Sequence, residues 1–152
     1  QDVLKLVVVE RHGRTGRVGH GFVRGFGLRA GALATTVAHD SHNLLLAGVD
    51  DQSLLTAAAA VQRLGGGQVV AEGERVLAEL PLPVAGLVSD LPVAEVARRS
   101  RALVAAAAGL GGRLSQPFMT ISFLALPVIP HLKLTDRGLF DVDAFQFNDL
   151  LV

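Results

Sequence analysis

The chain has 152 residues, which is enough for a single domain with one sizeable core. Half of the residues are hydrophobic and only 18% are charged, which excludes an intrinsically disordered chain. Cysteine is absent, so disulfide bonds, thiolate catalysis and thiolate metal sites are excluded, and any metal ligands must be His, Asp or Glu. No apolar run reaches the roughly 20 residues that a membrane-spanning helix needs, so we expect no membrane span.

The first residue and the charge distribution add two expectations. The chain begins with Gln1, its only methionine is Met119, and it carries no signal-peptide pattern, so we interpret it as a piece of a longer protein.

The net charge is zero, but the first 31 residues carry six basic side chains against two acidic ones. This asymmetry favours a basic surface that faces an anion or an acidic neighbour, or that has no specific role. Only Phe22 and Phe26 are interleaved with the basic residues, so we expect no nucleic-acid binding.

The first half of the chain predicts strands and one helix. Runs of β-branched and apolar residues predict four strands, over residues 3–10, 22–26, 32–39 and 44–49. Residues 11–21 contain several glycines and are predicted to form a loop. At Asp50 the apolar spacing changes to a helical period, which predicts a helix over 51–64 that ends at the glycines 65–67.

The second half predicts a hairpin, a second helix and shorter strands. The hairpin comprises residues 68–71 and 75–80, and the helix follows Asp90 with Pro92 in its first turn. Further strands are predicted over residues 118–126, 133–134 and 139–147. Two strand–helix–strand units in a chain rich in hairpins predict an α/β (α+β) fold. We expect a single domain over residues 1–152, with a mixed β-sheet and two main helices packed on it.

The densest polar cluster interrupts two apolar runs. It consists of His39, Asp40, Ser41, His42 and Asn43. On a helix, the two histidines would share a face and could hold one metal ion, but the flanking β-branched residues favour a strand end and a turn. Such a turn either satisfies its own backbone groups or faces a ligand, and both interpretations stay open. A nucleophilic Ser41 is disfavoured because no G-x-S-x-G elbow surrounds it.

Two other clusters are interpreted as structural. The glycines from Gly13 to Gly27 lack the spacing of a phosphate-binding or dinucleotide-binding loop. Several aspartates near the end of the chain lack the spacing of a calcium loop, so we expect solvated turns in which Arg137 pairs with a carboxylate. These aspartates are Asp136, Asp141, Asp143 and Asp149.

Long motifs throughout the chain resemble a known family. They are Glu10-Arg11-His12 and the segments 21–28 (GFVRGFGL), 36–43 (TVAHDSHN), 80–83 (LPLP), 117–120 (PFMT), 122–130 (SFLALPVIP) and 134–141 (LTDRGLFD). Together they resemble the C-terminal domain of bacterial and archaeal adenine deaminases, which are members of the amidohydrolase superfamily. Arg14 departs from the pattern, because the family often has a His-rich or Gly-Thr-Gly turn there.

The resemblance implies a full-length cytoplasmic enzyme that hydrolyses adenine to hypoxanthine and ammonia at a binuclear manganese or iron site in a (β/α)₈ barrel. Such a barrel takes roughly 250 residues and does not fit in this chain, so we assign no metal ligand within it. The implied partners are the absent barrel domain, adenine and further copies of the enzyme in a homo-oligomer, with neither nucleic acid nor membrane.

Because residues 39–43 form a polar turn in an apolar context, they are our candidates for a wall of the substrate pocket. His39 and His42 are candidate proton shuttles near neutral pH, and Asp40, Ser41 and Asn43 are expected to lie near the substrate. The isolated chain is expected to be inactive. The alternative is a structural or oligomerisation module with no residue near the substrate, and a third interpretation is a free purine-binding protein.

Overall fold

The computed structural model describes residues 2–150, which form a six-stranded sheet, a three-stranded sheet and three helices. The strands are β1 (Val3–Val9), β2 (Val18–Arg24), β3 (Ala32–Thr35), β4 (Leu44–Gly48), β5 (Gly67–Glu72), β6 (Arg75–Pro81), β7 (Leu132–Thr135), β8 (Gly138–Asp141) and β9 (Gln146–Asn148). The helices are α1 (Asp51–Arg63), α2 (Val93–Gly109) and α3 (Pro117–Phe123). The predicted α+β class, without a barrel and with two main helices, is confirmed.

The six-stranded sheet has the order β2-β1-β4-β3-β5-β6, and all its neighbouring strands pair antiparallel. The mixed pairing that the sequence predicts therefore does not occur in the described residues. Strands β4 and β5, which α1 connects, do run parallel to each other, but β3 lies between them and pairs with both. At one end of the sheet, Val9 in β1 pairs with Leu44 in β4. The segment after β1 consequently lies beside the segment before β4.

Different elements cover the two faces of this sheet and create three layers. Helix α1 covers one face, where Leu54, Ala57 and Val61 are buried at helical spacing. Helices α2 and α3 and the three-stranded sheet cover the other face, where Leu103 and Ile121 have no exposed surface. Burying one such side chain contributes about 1.5–3 kcal/mol. Strands β3 and β4 lie at the centre and are buried on both faces, as their continuous apolar sequences require.

The helices differ from the predictions at one place. Helix α1 begins after Asp50, whose carboxylate accepts a hydrogen bond from the Ser53 N–H at 2.8 Å, as expected of an N-cap. The predicted strand over 118–126 is wrong, because residues 117–123 form α3. Pro117 stands in its first turn, and its buried residues Phe118, Ile121 and Ser122 follow a helical rather than an alternating spacing. In the described part of the chain, every helix is too short or too polar to cross a membrane.

The three-stranded sheet packs on β2 because β2 contains glycines. Strand β2 begins at Val18 rather than at the predicted residue 22, so Gly19 and Gly21 belong to the strand and not to the loop. A Cβ atom on Gly19 would lie 1.9 Å from the carbonyl oxygen of Thr135, and one on Gly21 would lie 3.3 Å from the Leu134 side chain. The missing side chains therefore allow the β7 backbone to approach β2. The predicted single element over 139–147 forms two strands, β8 and β9, joined by a turn.

Candidate functional site

The polar turn, residues 39–43, connects the two central strands of the large sheet. The His42 N–H donates to the Ala38 carbonyl at 2.7 Å, which closes the turn, and His42 has a positive φ of 48°. Asn43 is 3% exposed, and its side-chain amide donates to an Asp136 carboxylate oxygen at 3.3 Å. Asp40 and Ser41 are exposed, while both histidines are half-buried. The structure thus brings the five predicted residues together, but Asn43 holds the turn to the β7–β8 connection rather than facing outward.

Two residues that the sequence did not assign to the site bind the backbone of the polar turn. The Arg11 Nε donates to the His42 carbonyl at 2.5 Å, and its Nη2 donates to the Ala85 carbonyl at 2.6 Å. The His12 ring contacts the Ser41 carbonyl at 2.8 Å. Because a carbonyl oxygen only accepts, Nε2 of His12 carries the proton. The pairing of Val9 with Leu44 places these residues beside the turn, and local sequence patterns do not contain that information.

Glu10 organises the glycine-containing loop that follows β1. One carboxylate oxygen accepts from the His12 N–H at 2.6 Å, and the other accepts from the N–H groups of Arg14, Thr15 and Gly16 at 3.0–3.2 Å. These hydrogen bonds, chiefly the one from Thr15, lower the pKa of Glu10 from 4.5 to about 2, against an opposing effect of burial. The amide groups that a phosphate would need are therefore occupied by the chain's own carboxylate.

The two histidines of the turn differ in what their ring nitrogens contact. Nδ1 of His42 lies 3.4 Å from the Ala38 N–H and accepts from it, which leaves Nε2 as the protonated nitrogen of the neutral ring. Burial lowers the pKa of His42, the nearby His39, Arg11 and His12 lower it further, and Asp40 opposes them. His39 makes no side-chain hydrogen bond to the described residues, and its ring centre lies 5.0 Å from that of Phe123 and 6.2 Å from that of His42. His42 is accordingly neutral at neutral pH, with Nε2 available to donate.

A cleft of about 700 Å³ opens beside the polar turn. Asp40 and Ser41 form one side of it, and the small sheet and the α3–β7 connection form the rest. Its apolar lining includes Leu126, Val128, Phe140, Phe145 and Phe147. Phe145 is 80% exposed and Val128 is 70% exposed, so the apolar rim beside the turn faces outward. Apolar walls with a few polar groups are typical of binding clefts and of covered interfaces.

The acidic residues near the end of the chain have structural contacts. Asp141 accepts from the N–H groups of Asp143 and Ala144, which stabilises the turn after β8. The predicted pairing of Arg137 with a carboxylate does not occur among residues 2–150, where its guanidinium instead lies 5.1 Å from the centre of the Phe147 ring. Among residues 2–150, no group of three or more His, Asp or Glu side chains has a geometry that could hold a metal ion. These residues do not fit a binuclear metal centre.

Comparisons with known proteins agree with the resemblance seen in the motifs. The sequence model of the adenine deaminase C-terminal domain family matches residues 1–146. The adenine deaminase of Oleidesulfovibrio alaskensis is 57% identical over 150 residues, which are 99% of this chain and 26% of that protein. The adenine deaminase of Desulfatibacillum aliphaticivorans is 54% identical over 149 residues, which are 98% of this chain and 26% of that protein.

A third relative, the adenine deaminase of Moorella thermoacetica, is 54% identical over 150 residues, which are 99% of this chain and 25% of that protein. The chain therefore spans about a quarter of the length of the curated relatives it matches. The similarity covers the polar turn, Glu10, Arg11 and the aromatic cleft, since all lie within the matched residues apart from Phe147. The chain belongs to the adenine deaminase C-terminal domain family.

Proposed function

We propose that the chain acts as the C-terminal domain of a full-length adenine deaminase that hydrolyses adenine to hypoxanthine and ammonia. In this proposal the polar turn forms part of the wall of the substrate site, and the manganese or iron lies outside this chain, in a barrel domain. The family membership and the quarter-length match to adenine deaminases support it. Because the described residues provide no metal-binding cluster, the isolated chain is expected to be inactive.

One observation carries the proposal: Arg11 and His12 hold the turn by its backbone, and the side chains of His39 and Asp40 are left free to act. Arg11 and His12 bind carbonyl oxygens of the turn, whereas the side chains of His39 and Asp40 form no hydrogen bond with the described residues. A turn that served only its own fold would use these two side chains to satisfy backbone groups, as it does those of Ser41 and His42. The apolar rim next to the turn also supports a face that is covered in the full-length enzyme.

The side chains of the turn suit the proton transfers of the reaction. Hydrolysis of adenine brings the oxygen of water to the ring carbon and releases the amino group as ammonia. One proton of the water goes to the departing amino group and the other to a ring nitrogen. A neutral imidazole with a free ring nitrogen can accept and deliver such a proton near neutral pH, which is the role we propose for His39. For His42, whose Nδ1 accepts from the Ala38 N–H, we propose that Nε2 donates a hydrogen bond to the group that receives the proton. Asp40 would accept a hydrogen bond from the substrate, and Ser41 would bound the pocket beside it.

Replacement of the two histidines tests this proposal in the full-length enzyme. We expect His39→Ala to lower kcat/KM for adenine by about 100-fold, the lower end of the range for loss of a proton-transfer group, and His42→Ala to lower it by about 10-fold or more. The control is His20→Ala, which removes an exposed histidine of β2 that lines a different groove. Thermal unfolding should be measured beside the kinetics. If both turn variants keep kcat/KM within a factor of about two, the proposal is rejected.

A specific observation also favours the second candidate function, a structural or oligomerisation module. On the α1 side of the sheet, Phe22 is 58% exposed and Leu55 is 66% exposed, and they border an apolar groove. If this face joins two copies of the enzyme, Leu55→Ser should change the molar mass of the full-length enzyme measured by light scattering. If the module is purely structural, changes in the polar turn should reduce activity only in proportion to the loss of folded protein.

A further inference from the structure

We propose that Arg11 is a positioning residue for the polar turn, with Glu10 and His12 as its supports. The inference rests on the proposed function, because a positioning role matters only if the turn acts on the substrate. The side chains of these three residues contact the chain itself and leave the cleft beside the turn open. Their effect would therefore be exerted through His39, Asp40 and His42.

Arg11 joins three segments that are distant in sequence. Its guanidinium donates to the His42 carbonyl in the polar turn and to the Ala85 carbonyl in the segment after β6. It also lies close to Gly86, where an added Cβ would lie 2.5 Å from Nη2. Gly86 cannot easily withdraw, because its carbonyl accepts from the buried hydroxyl of Thr36 at 2.6 Å. The guanidinium therefore lies between the turn and residues 85–86 and contacts both.

Glu10 and His12 determine where Arg11 points. The Glu10 carboxylate accepts hydrogen bonds from the backbone N–H groups of residues 12, 14, 15 and 16. The chain therefore turns sharply directly after Arg11. His12 then contacts the Ser41 carbonyl, one residue before the His42 carbonyl that Arg11 binds. Two successive carbonyl oxygens of the turn are thus held by two successive residues of the β1–β2 loop.

The position of these contacts explains what they would do for His42. A non-glycine residue with φ near 48° is uncommon and persists only when surrounding contacts hold it there. Arg11 binds the carbonyl of that same residue and, as a nearby positive charge, also favours the neutral imidazole. The other charged or titratable neighbours of His42 are His39, Asp40 and His12. Arg11 would thereby fix the orientation of the ring and add to the effects of burial and His39, which keep the ring neutral.

NMR on the 152-residue chain tests the positioning directly. Arg11→Met removes the charge and both donors while keeping much of the stem, and Gly86→Ala displaces the guanidinium without removing any titratable group. We expect both variants to raise the pKa of His42 and to increase amide hydrogen exchange in residues 40–43. The control is Gly73→Ala, which has the same kind of strain at φ 56° but no atom within 4 Å of the added Cβ. It should leave His42 and the turn unchanged.

The outcomes separate this inference from the proposed function. If Arg11→Met leaves the pKa of His42 and the amides of residues 40–43 as in the unaltered chain, the positioning role is overturned, whatever the kinetics show. If the NMR changes appear, the same variant in the full-length enzyme should lower kcat and move the acid limb of its pH profile upward with the pKa of His42. NMR changes with an unaltered pH profile would uphold the positioning of the turn and contradict the proposed function instead.

Discussion

Glu10 ties the β1–β2 loop to the end of β1 through its ionised carboxylate. Its pKa is about 2 in the folded chain and 4.5 ordinarily, so the unfolded chain binds more protons between these values. The stabilisation from Glu10 is therefore complete above about pH 4.5 and is lost as the pH falls toward 2. Glu95, whose pKa is lowered to about 2 by hydrogen bonds from Arg98 and Arg99, loses its contribution over the same range.

Glu10→Gln isolates the share of the pH-dependent stability that comes from Glu10 and the β1–β2 loop. We expect this variant to unfold at a lower temperature than the unaltered chain at pH 7, and the gap to narrow as the pH approaches 2, where Glu10 is protonated in the unfolded state and about half protonated in the folded state of the unaltered chain. Calorimetry at a series of pH values measures the gap. The exposed Glu74→Gln should show little gap at any pH. A gap for Glu10→Gln that stays constant with pH would contradict the assignment.

The sequence predicted the members of the polar turn but not the residues that hold it. His39, Asp40, Ser41, His42 and Asn43 stand out because they are polar side chains between apolar runs. The roles of Arg11 and His12 depend on β1 pairing with β4, a contact between strands far apart in the chain. The only sequence signal for them was their place in a motif shared with a family, since neither periodicity nor spacing distinguishes them from other loop residues.

The small sheet depends on the absence of a side chain at Gly19. A Cβ there would lie 1.9 Å from a backbone oxygen of β7, and backbone moves aside less easily than a flexible side chain. We expect Gly19→Ala to destabilise the chain by about 3 kcal/mol or more, at or beyond the upper end for overpacking. Loss of chemical-shift dispersion in β7 and β8 should accompany the change in urea-induced unfolding.

A glycine without close neighbours provides the matched control. Gly109 ends α2, and an added Cβ there meets no atom within 4 Å. Because alanine restricts the unfolded chain and favours helix, Gly109→Ala should be neutral or stabilising by about 0.5–1 kcal/mol. If Gly19→Ala is as stable as Gly109→Ala, close packing of the small sheet on β2 is not what orders it.

The predicted and observed elements show why some of them could be predicted from the sequence and others could not. Helix α1 has a cap at Asp50, a regular apolar stripe and a terminating glycine run, and its predicted and observed ends differ by one residue. Residues 118–126 form a short apolar run whose period is ambiguous, and the run is helical because it packs as a single short helix on the sheet. From the sequence alone, the glycines of β2 suggest a loop. Their place in a strand is explained only by the close approach of β7, which the sequence does not reveal.

The six-stranded sheet has two unlike faces. The face with α1 is covered over β3, β4 and β5, and it leaves Phe22 and Leu55 exposed near β1 and β2. The other side carries the small sheet, the polar turn and the apolar rim at Val128 and Phe145. The chain accounts for about a quarter of the length of adenine deaminases. Under the proposed function, we expect one of these outward apolar surfaces to contact the barrel domain, and the position of the polar turn favours the surface at Val128 and Phe145.

The most direct test of the central proposal is a crystal structure of the full-length enzyme with a bound adenine analogue that it does not deaminate. We expect an imidazole nitrogen of His39 or His42 to lie about 3 Å from the ligand or from one water that bridges to it. Arg11 should still bind the carbonyl of His42 in that structure. A ligand enclosed entirely by other domains, with the polar turn facing solvent or another subunit, would contradict the proposal and favour the structural module.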